Sequence, residues 1–263
     1  MKEDFSKYNS EGSMLRKAQL RMLDILIEVD KICKKHNIMY WLDFGTLLGC
    51  VRHGGFIPWD DDLDIGLLQK DYNKLRKILQ NELPEQFAFE DWKTIKEYPF
   101  KHGKVRDLHS YYEDPSDKSK NRPKTIYIDL FPRTKTLTFK RRKTLNTLYG
   151  KIFGQIHWEK HNILKRIVAF SVYPIITAVV WIAQKIADCS KTDKLAHIYG
   201  GDSLLFHQCF MKDVFPLRVG NFEGYSFPVP NNTDSYLTNQ YGDYMKIPSE
   251  EKRQMHASKI EVW

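Results

Sequence analysis

Apolar residues along the chain follow two spacings, one typical of helices and one typical of strands. They recur every three or four positions over 14–35, which predicts an amphipathic helix. Asp71 is a good N-cap for a further helix that Pro84 would close. Alternating or continuous apolar runs predict strands at 38–43, 62–68, 87–90, 100–107 and 125–131.

The middle of the chain, from about 138 to 200, has a helical and basic pattern. Within it, residues 167–183 carry no charge, but the run contains Pro174 and falls short of the roughly 20 residues of a spanning helix. We interpret the run as a pair of buried core helices broken at the proline. The alternative is peripheral membrane contact by a helix that lies in the surface, which the flanking basic residues suit.

These patterns predict an α+β fold, with a mixed β-sheet core, flanking helices and a helical insertion. We expect three parts: a catalytic core over 1–135, a basic and partly apolar helical insertion over 136–200, and a C-terminal segment over 201–263 that packs back on the core.

Composition and charge narrow the class of partner. The 263 residues carry a formal net charge of +8, which favours anionic partners such as nucleotides, acidic polymers or an anionic membrane. The four cysteines lack the spacing of metal-binding pairs, and the polar N-terminus lacks the apolar stretch of a signal peptide. We therefore expect a cytoplasmic protein with reduced thiols.

Two carboxylates lie two positions apart on the strand predicted over 62–68. Asp62 and Asp64 share one face of that strand, roughly 6–7 Å apart, while Leu63 and Ile65 point to the core. Hard cations such as Mg²⁺ or Mn²⁺ prefer carboxylate, water and phosphate oxygens, so the pair can bracket them. Asp129, isolated between apolar residues of a second predicted strand, would complete a two-metal site. Read alone, the acidic run could also be an ordinary turn before a strand.

A glycine and a threonine precede this pair, where a strand turns into a short helix. Gly45 would let a phosphate approach the backbone N–H groups of the helix N-terminus, and Thr46 adds a hydroxyl donor. Gly-Thr pairs are also common helix caps, so the pair is weak evidence when taken alone.

The segment WLDFGTLLGCVRHGGFIPWDDDLDIGL, residues 41–67, resembles the signature of the LicD family of phosphocholine transferases. That family is similar to the nucleotidyltransferase superfamily, which has a Gly-Ser or Gly-Gly turn, an Asp-x-Asp pair and a third acidic strand residue. The tail over 222–248, with Arg253 and His256 after it, is also similar. Thr46 departs from the superfamily's usual Ser or Gly, and the distance in sequence from Gly45 to Asp62 is longer than usual there.

The resemblance implies a nucleotidyltransferase-like fold and a phosphocholine transferase that takes CDP-choline and releases CMP. It implies an acceptor hydroxyl on a glycan or teichoic acid precursor, which would be lipid-linked for an enzyme at the inner face of a bacterial membrane. Relatives of the fukutin type imply CDP-ribitol as an alternative donor.

Roles for other residues remain open at this point. Arg52, Lys104 and Arg106 are candidate phosphate contacts or solvated surface charges in equal measure. Trp41, Trp59 and Tyr127 are candidate walls for a quaternary ammonium group, although core positions suit all three better. Asp129 or Asp61 would accept the hydroxyl proton, and His53 and His256 are weaker candidates for metal or phosphate contact.

Two other functions compete with this one. A true nucleotidyltransferase would release pyrophosphate instead of CMP. A non-catalytic binder of acidic polymer would use the positive charge, but three consecutive aspartates, Asp60 to Asp62, repel a polyanion. We expect no nucleic acid partner.

Overall fold

The computed structural model describes residues 4–95, 98, 100–115, 122–157, 162–200, 209–253 and 255–263. Its helices are α1 (Ser6–Asn9), α2 (Met14–Lys35), α3 (Phe44–His53), α4 (Gln69–Glu82), α5 (Phe139–His157), α6 (Ile163–Cys189), α7 (Met211–Val214) and α8 (Thr233–Tyr241). Its strands are β1 (Tyr40–Leu42), β2 (Asp64–Leu68), β3 (Phe87–Glu90), β4 (Gly103–Asp107), β5 (Ser110–Glu113), β6 (Tyr127–Lys135), β7 (Lys194–His197), β8 (Cys209–Phe210), β9 (Arg218–Phe222), β10 (Tyr225–Val229) and β11 (Lys259–Val262). This mixture confirms the predicted α+β class.

A mixed sheet forms the centre of the protein, in the order β1-β2-β6-β4-β3, with β7 and β8 continuing from β6. β2 and β6 run parallel, and their register places Asp64 opposite Asp129. Ile65 and Leu67 point to the other face, because side chains alternate along a strand. There they join buried residues of α2 and α4 in one hydrophobic core. The fold therefore buries the apolar face of β2 and sets its first carboxylate beside one from β6.

Most predicted elements agree with the structure, but β2 begins at Asp64, so the prediction that Asp62 lies on the same strand face as Asp64 is wrong. The first long helix, α2, spans Met14–Lys35 as predicted. The prediction that Asp71 caps the next helix is wrong, because α4 begins at Gln69 and Asp71 lies in its first turn. The region predicted to be helical up to residue 200 ends in β7, which pairs with the end of β6.

The hairpin of α5 and α6 departs most from expectation. The two helices share a small core of their own, formed by Tyr149, Phe153, Ile176 and Val180. α6 continues unbroken through Pro174, and only 11% of its most apolar 18-residue window is buried. The interpretation as a buried helix pair broken at the proline is therefore wrong. By length and composition α6 could cross a membrane; residues 158–161, between the helices, lie outside the described part.

The C-terminal residues pack against elements from the first half of the chain. β11 pairs with β5, and the hairpin of β9 and β10 contributes Phe222 and Phe227 to the main core. The division of the chain into three parts, at 135 and 200, remains a prediction.

Candidate active site

The chain turns sharply where β1 leads into α3. Asp43 caps α3, accepting a hydrogen bond from the Phe44 N–H at 2.9 Å, and Phe44 has a left-handed φ of 44°, which is unfavourable for a bulky residue. Gly45 follows, and a Cβ added there would lie 2.7 Å from Asp60 Oδ2 and 3.7 Å from Asp62 Oδ1. A glycine at this position therefore makes room for two carboxylates at the N-terminus of the helix.

Thr46 ties the start of α3 to the start of β2. Its buried hydroxyl accepts a hydrogen bond from the Asp64 N–H at 2.8 Å. This contact fixes the backbone at the first carboxylate of β2. It gives Thr46 a positioning role beside the phosphate contact expected from the sequence.

Four carboxylates gather around this turn: Asp60 and Asp62 from the acidic run, Asp64 from β2 and Asp129 from β6. Burial, together with repulsion from Asp62 and Asp61, raises the pKa of Asp60 well above its usual value. Burial, together with repulsion from Asp62 and Asp129, does the same to the pKa of Asp64. Burial also raises the pKa of Asp62, although His256 opposes it. Such a cluster of acids is a place where a divalent cation offsets repulsion.

Asp129 differs from the other three because cations already contact it. Lys104 Nζ lies 2.7 Å from Asp129 Oδ1 and donates to Oδ2 at 2.9 Å, and His102 Nε2 lies 3.1 Å from Oδ1. Burial alone would raise the pKa of Asp129, but Lys104 and His102 outweigh it and hold the pKa below its ordinary value. Oδ1 is buried and accepts no hydrogen bond of good geometry from the described residues.

Asp61 holds the C-terminal segment beside the cluster. Its carboxylate accepts hydrogen bonds from Tyr112 Oη at 3.0 Å, the backbone N–H groups of His256 and Ala257 at 2.9 and 2.7 Å, and His256 Nδ1 at 3.0 Å. Burial would raise the pKa of Asp61, but these donors lower it. With four donors already in place, Asp61 is suited to positioning rather than to accepting a proton.

His256 is the nitrogen-bearing member of a possible metal site. Ligand atoms of Asp60, Asp62 and His256 lie within 4.8 Å of one another. The hydrogen bond to Asp61, and then the charges of Asp62 and Asp61, raise the pKa of His256 to about 9, although burial opposes them. A cation would compete with a proton for this ring, so the carboxylates are the better ligands at neutral pH.

The structure separates the three predicted phosphate contacts. Arg52 lies at the rim, where it donates to the Tyr244 carbonyl at 2.8 Å and to His53 Nε2 at 3.0 Å. Lys104 lies inside the cluster, where its ammonium group forms an ion pair with Asp129. Arg106 is buried and ion-paired with Glu90, and it also donates to the Thr125 carbonyl at 3.1 Å. The structure thus does not bring Arg106 into the cluster, because these contacts hold its guanidinium within the sheet.

The three aromatic candidates for binding choline also differ. Trp41 is fully buried and donates from Nε1 to Tyr236 Oη at 3.2 Å, so it is a core residue. Trp59 is 7% exposed and packs edge-on against Phe5 and Tyr8. Tyr127 lies beside the cluster, with Lys104 Nζ 3.4 Å from its ring centroid. The face of the Tyr127 ring that a choline group would need is therefore already in contact with the Lys104 ammonium group.

Residues near the cluster that the sequence reasoning missed include Asp43, Asp60, His102 and Tyr241. Asp43 lies between a predicted strand and a Gly-Thr turn, which is an N-cap signal that could have been read. The pKa of Tyr241 is raised by burial and then by Asp64 and Asp43, which places this α8 residue near the acids. Nothing local in the sequence indicates that approach.

Residues 37–164 match the family model described as LicD/FKTN/FKRP, nucleotidyltransferase domain, and this range contains all four clustered carboxylates. The lipopolysaccharide cholinephosphotransferase LicD of Haemophilus influenzae is 28% identical to the chain over 92% of its length and 95% of the relative's. The chain carries a LicD-type nucleotidyltransferase domain over 37–164 and is similar to a LicD transferase over nearly its whole length.

This LicD-like protein is accordingly an enzyme, of the transferase class. Its likeness to other relatives is more local. The ribitol 5-phosphate transferases FKRP of Mus musculus and Homo sapiens are 44% identical over 42 residues, which is 16% of this chain and 8% of theirs. His256 lies beyond the matched domain, although it adjoins the cluster.

Proposed function

We propose that this LicD-like enzyme transfers phosphocholine from CDP-choline to a hydroxyl of a cell-surface glycan or teichoic acid precursor, with release of CMP. The observation that carries the proposal is the group of four carboxylates, of which Asp60 and Asp62 lie against Gly45 and the other two lie opposite each other on β2 and β6. The donor is suggested by the relative whose name is a cholinephosphotransferase and which aligns over nearly the whole chain.

The residues present fit a divalent cation, Mg²⁺ or Mn²⁺. Carboxylate oxygens are the ligands these ions prefer, and the cluster offers Asp62, Asp64 and Asp129, with Asp60 beside them. The raised pKa values of Asp60 and Asp64 reflect repulsion that positive charge would relieve. When bound, the cation would neutralise the donor diphosphate and stabilise the leaving CMP.

The chain's own groups would bind and orient the donor. Gly45 leaves room at the α3 N-terminus that Asp60 and Asp62 occupy, so a donor phosphate would meet this terminus through a cation held by those carboxylates. Thr46 holds the backbone of Asp64, and Asp61 holds the segment that carries His256. Arg52 and Tyr241, both near Asp60, are placed to contact the donor at the rim.

Neither candidate base, Asp129 or Asp61, is strongly basic, because the groups that contact each carboxylate lower its pKa. Lys104 and His102 keep Asp129 ionised, while Asp61 is saturated with donors. We favour Asp129 of the two, because it lies opposite Asp64 within the cluster, whereas Asp61 already accepts four hydrogen bonds.

A second donor is supported by a specific observation. The 42-residue likeness to ribitol 5-phosphate transferases favours CDP-ribitol as the alternative. Transfer of a nucleotidyl group is the third possibility, and its product is pyrophosphate instead of CMP.

We further propose that the enzyme works at a membrane surface, on a lipid-linked acceptor. The outward face of α6 exposes large apolar side chains, among them Ile167, Ile175 and Ile182, each more than half exposed. Exposed basic residues lie alongside, namely Lys140, Arg141, Lys143, Lys151, Lys165 and Arg166. Apolar area flanked by positive charge fits an anionic bilayer, with the helix lying in the interface because α5 covers its other side.

The test compares donors in a transfer assay with purified acceptor lipid extract and Mg²⁺. Wild type should release CMP from CDP-choline, and EDTA should stop the release. Asp62→Asn and Asp64→Asn should lose at least about 100-fold, while the exposed Glu85→Gln serves as a matched acidic control. Pyrophosphate release, or turnover by Asp64→Asn at the wild-type rate, would overturn the proposal.

A further inference from the structure

A cavity separate from the carboxylate cluster lies between α4, the residues after β3 and the α5–α6 hairpin. We call it the Lys101 cavity; its volume is about 320 Å³, and none of its lining residues belongs to the carboxylate cluster. The described lining residues include several aromatic rings and four cationic side chains, but no aspartate or glutamate. The cations are Arg76, Lys93, Lys101 and Arg142. Such a lining is selective for negative charge.

Lys101 is in direct contact with aromatic rings, and Asp91, an acid that also acts on its charge, is ion-paired with Arg76. Its side chain is 6% exposed, and its Nζ lies 3.6 Å from the ring centroid of Trp92 and 4.0 Å from that of Phe153. Burial lowers the pKa of Lys101 to about 7. No acid among the described residues forms an ion pair with it. Aromatic faces offset part of the cost of burying an ammonium group, but they supply no counter-charge.

Arg142 is the second buried cation at this cavity, with 2% exposure. Its guanidinium donates to neutral acceptors, namely Gln184 Oε1 at 3.0 Å, Thr134 Oγ1 at 2.9 Å and the His197 carbonyl at 2.7 Å. Its buried Nε has no acceptor within the described part of the chain. Arg76 is different, because Asp91 accepts from its Nε at 2.6 Å. Two buried cations thus share one cavity without a carboxylate in its described lining.

We propose that the Lys101 cavity binds the phosphate or diphosphate group of the acceptor, an inference that rests on the proposed transfer reaction. Lysine and arginine donors are the usual ligands of phosphate. An anion there would offset the cost of burying Lys101 and Arg142, and the aromatic walls suit the ring of an attached sugar.

The position of the cavity fits an acceptor anchored in a membrane. α6 forms part of its wall through Thr177, Val180 and Trp181, and Trp181 is 60% exposed on the apolar side of that helix. Lys101 also directly precedes His102, which contacts Asp129. The residue proposed to bind phosphate is therefore adjacent in sequence to a residue that contacts the carboxylate cluster.

The experiment measures phosphate binding by the full chain in EDTA, so that metal at the carboxylate cluster does not contribute. Three probes separate the sources of phosphate: inorganic pyrophosphate, glucose 1-phosphate, and phosphatidylcholine vesicles containing phosphatidic acid. Calorimetry measures the soluble probes, and co-sedimentation measures the vesicles. The variants are Lys101→Met, the charge-conserving Lys101→Arg, and Lys77→Met as a matched basic control at an exposed position on α4 outside the cavity.

Lys101→Met should weaken binding roughly tenfold in at least one arm, which equals about 1.4 kcal/mol. Lys101→Arg should recover most of the loss, and Lys77→Met should stay within about twofold of wild type. An effect confined to vesicles identifies a lipid headgroup, and one confined to soluble probes identifies a free phosphosugar. The CMP-release assay measures the proposed transfer reaction separately, so failure of that reaction would be distinguished from failure of this inference. Equal binding by Lys101→Met and wild type in every arm would overturn the inference.

Discussion

The buried ion pair between Asp43 and Arg133 offers a sharp test of how the site is held. Both side chains are 0% exposed, and Arg133 Nη2 lies 2.6 Å from Asp43 Oδ2. Asp43 also caps α3 and accepts from Tyr236 Oη at 2.7 Å. The perturbation is Asp43→Asn, which keeps an acceptor oxygen but removes the charge that Arg133 needs.

The magnitude follows from the burial of both partners. Removing one partner of a buried ion pair leaves the other charge uncompensated and costs about 3–5 kcal/mol. For a chain of this size, each kcal/mol lowers Tm by about 2–4 °C, so Asp43→Asn should lower Tm by roughly 6–20 °C. Arg133→Met should cost a similar amount. The double variant leaves no buried charge without a partner. Its loss of unfolding free energy should therefore be smaller than the sum of the two single losses by at least about 1 kcal/mol.

The assay is urea unfolding followed by far-UV circular dichroism, with the four proteins of the cycle measured together. Lys31→Met, which breaks the exposed pair with Glu28, is the matched control and should change stability by less than about 0.5 kcal/mol. Additive single effects in the double variant, or single effects no larger than that of Lys31→Met, would refute the reasoning.

Three further predictions concern the cluster, the Lys101 cavity and α6. Gly45→Ala should reduce transfer at least about 100-fold in the CMP-release assay with little change in Tm, because its Cβ would lie 2.7 Å from Asp60 Oδ2; unchanged transfer would contradict it. The pKa of Lys101 is lowered from 10.5 to about 7, so the unfolded chain binds more protons between these pH values and stability rises with pH. Relative to Lys101→Met, wild type should gain about 2 kcal/mol from pH 7 to pH 9 in urea unfolding, and a flat difference would contradict this. Replacing both Ile167 and Ile175 by Gln should lower co-sedimentation with anionic vesicles several-fold, while the same change at exposed Leu20 on α2 should not.

Much of the central sheet could be predicted from the sequence because its signals are local. The period of apolar residues located α2, and isolated aspartates between apolar neighbours located the first residue of β2 and Asp129 on β6. The pairing of those two strands then set Asp64 opposite Asp129, as a two-strand site requires. That these residues bind metal remains a prediction.

Other parts of the site depend on contacts that no local pattern reports. Asp60 reaches Gly45 through the turn that precedes β2, and Tyr241 approaches the acids from α8 near the end of the chain. The apolar run of α6 was assigned to the core because composition alone does not distinguish a buried helix from an exposed one. Trp41 and Arg106 show the converse, since polar and aromatic residues close to a motif in sequence can be held away from it by partners in the core or the sheet.

The hydrogen bonds that Asp61 accepts from His256 and Ala257 have a consequence for the order in which parts of the chain fold. The bonded groups are 195 and 196 residues apart, so during synthesis the acidic turn lacks these donors until the ribosome has released residue 257. A nascent chain can form β1, β2 and β6 well before that moment. The acidic turn therefore gains these hydrogen bonds only after residue 257 has emerged, which is later than β2 can pair with β6.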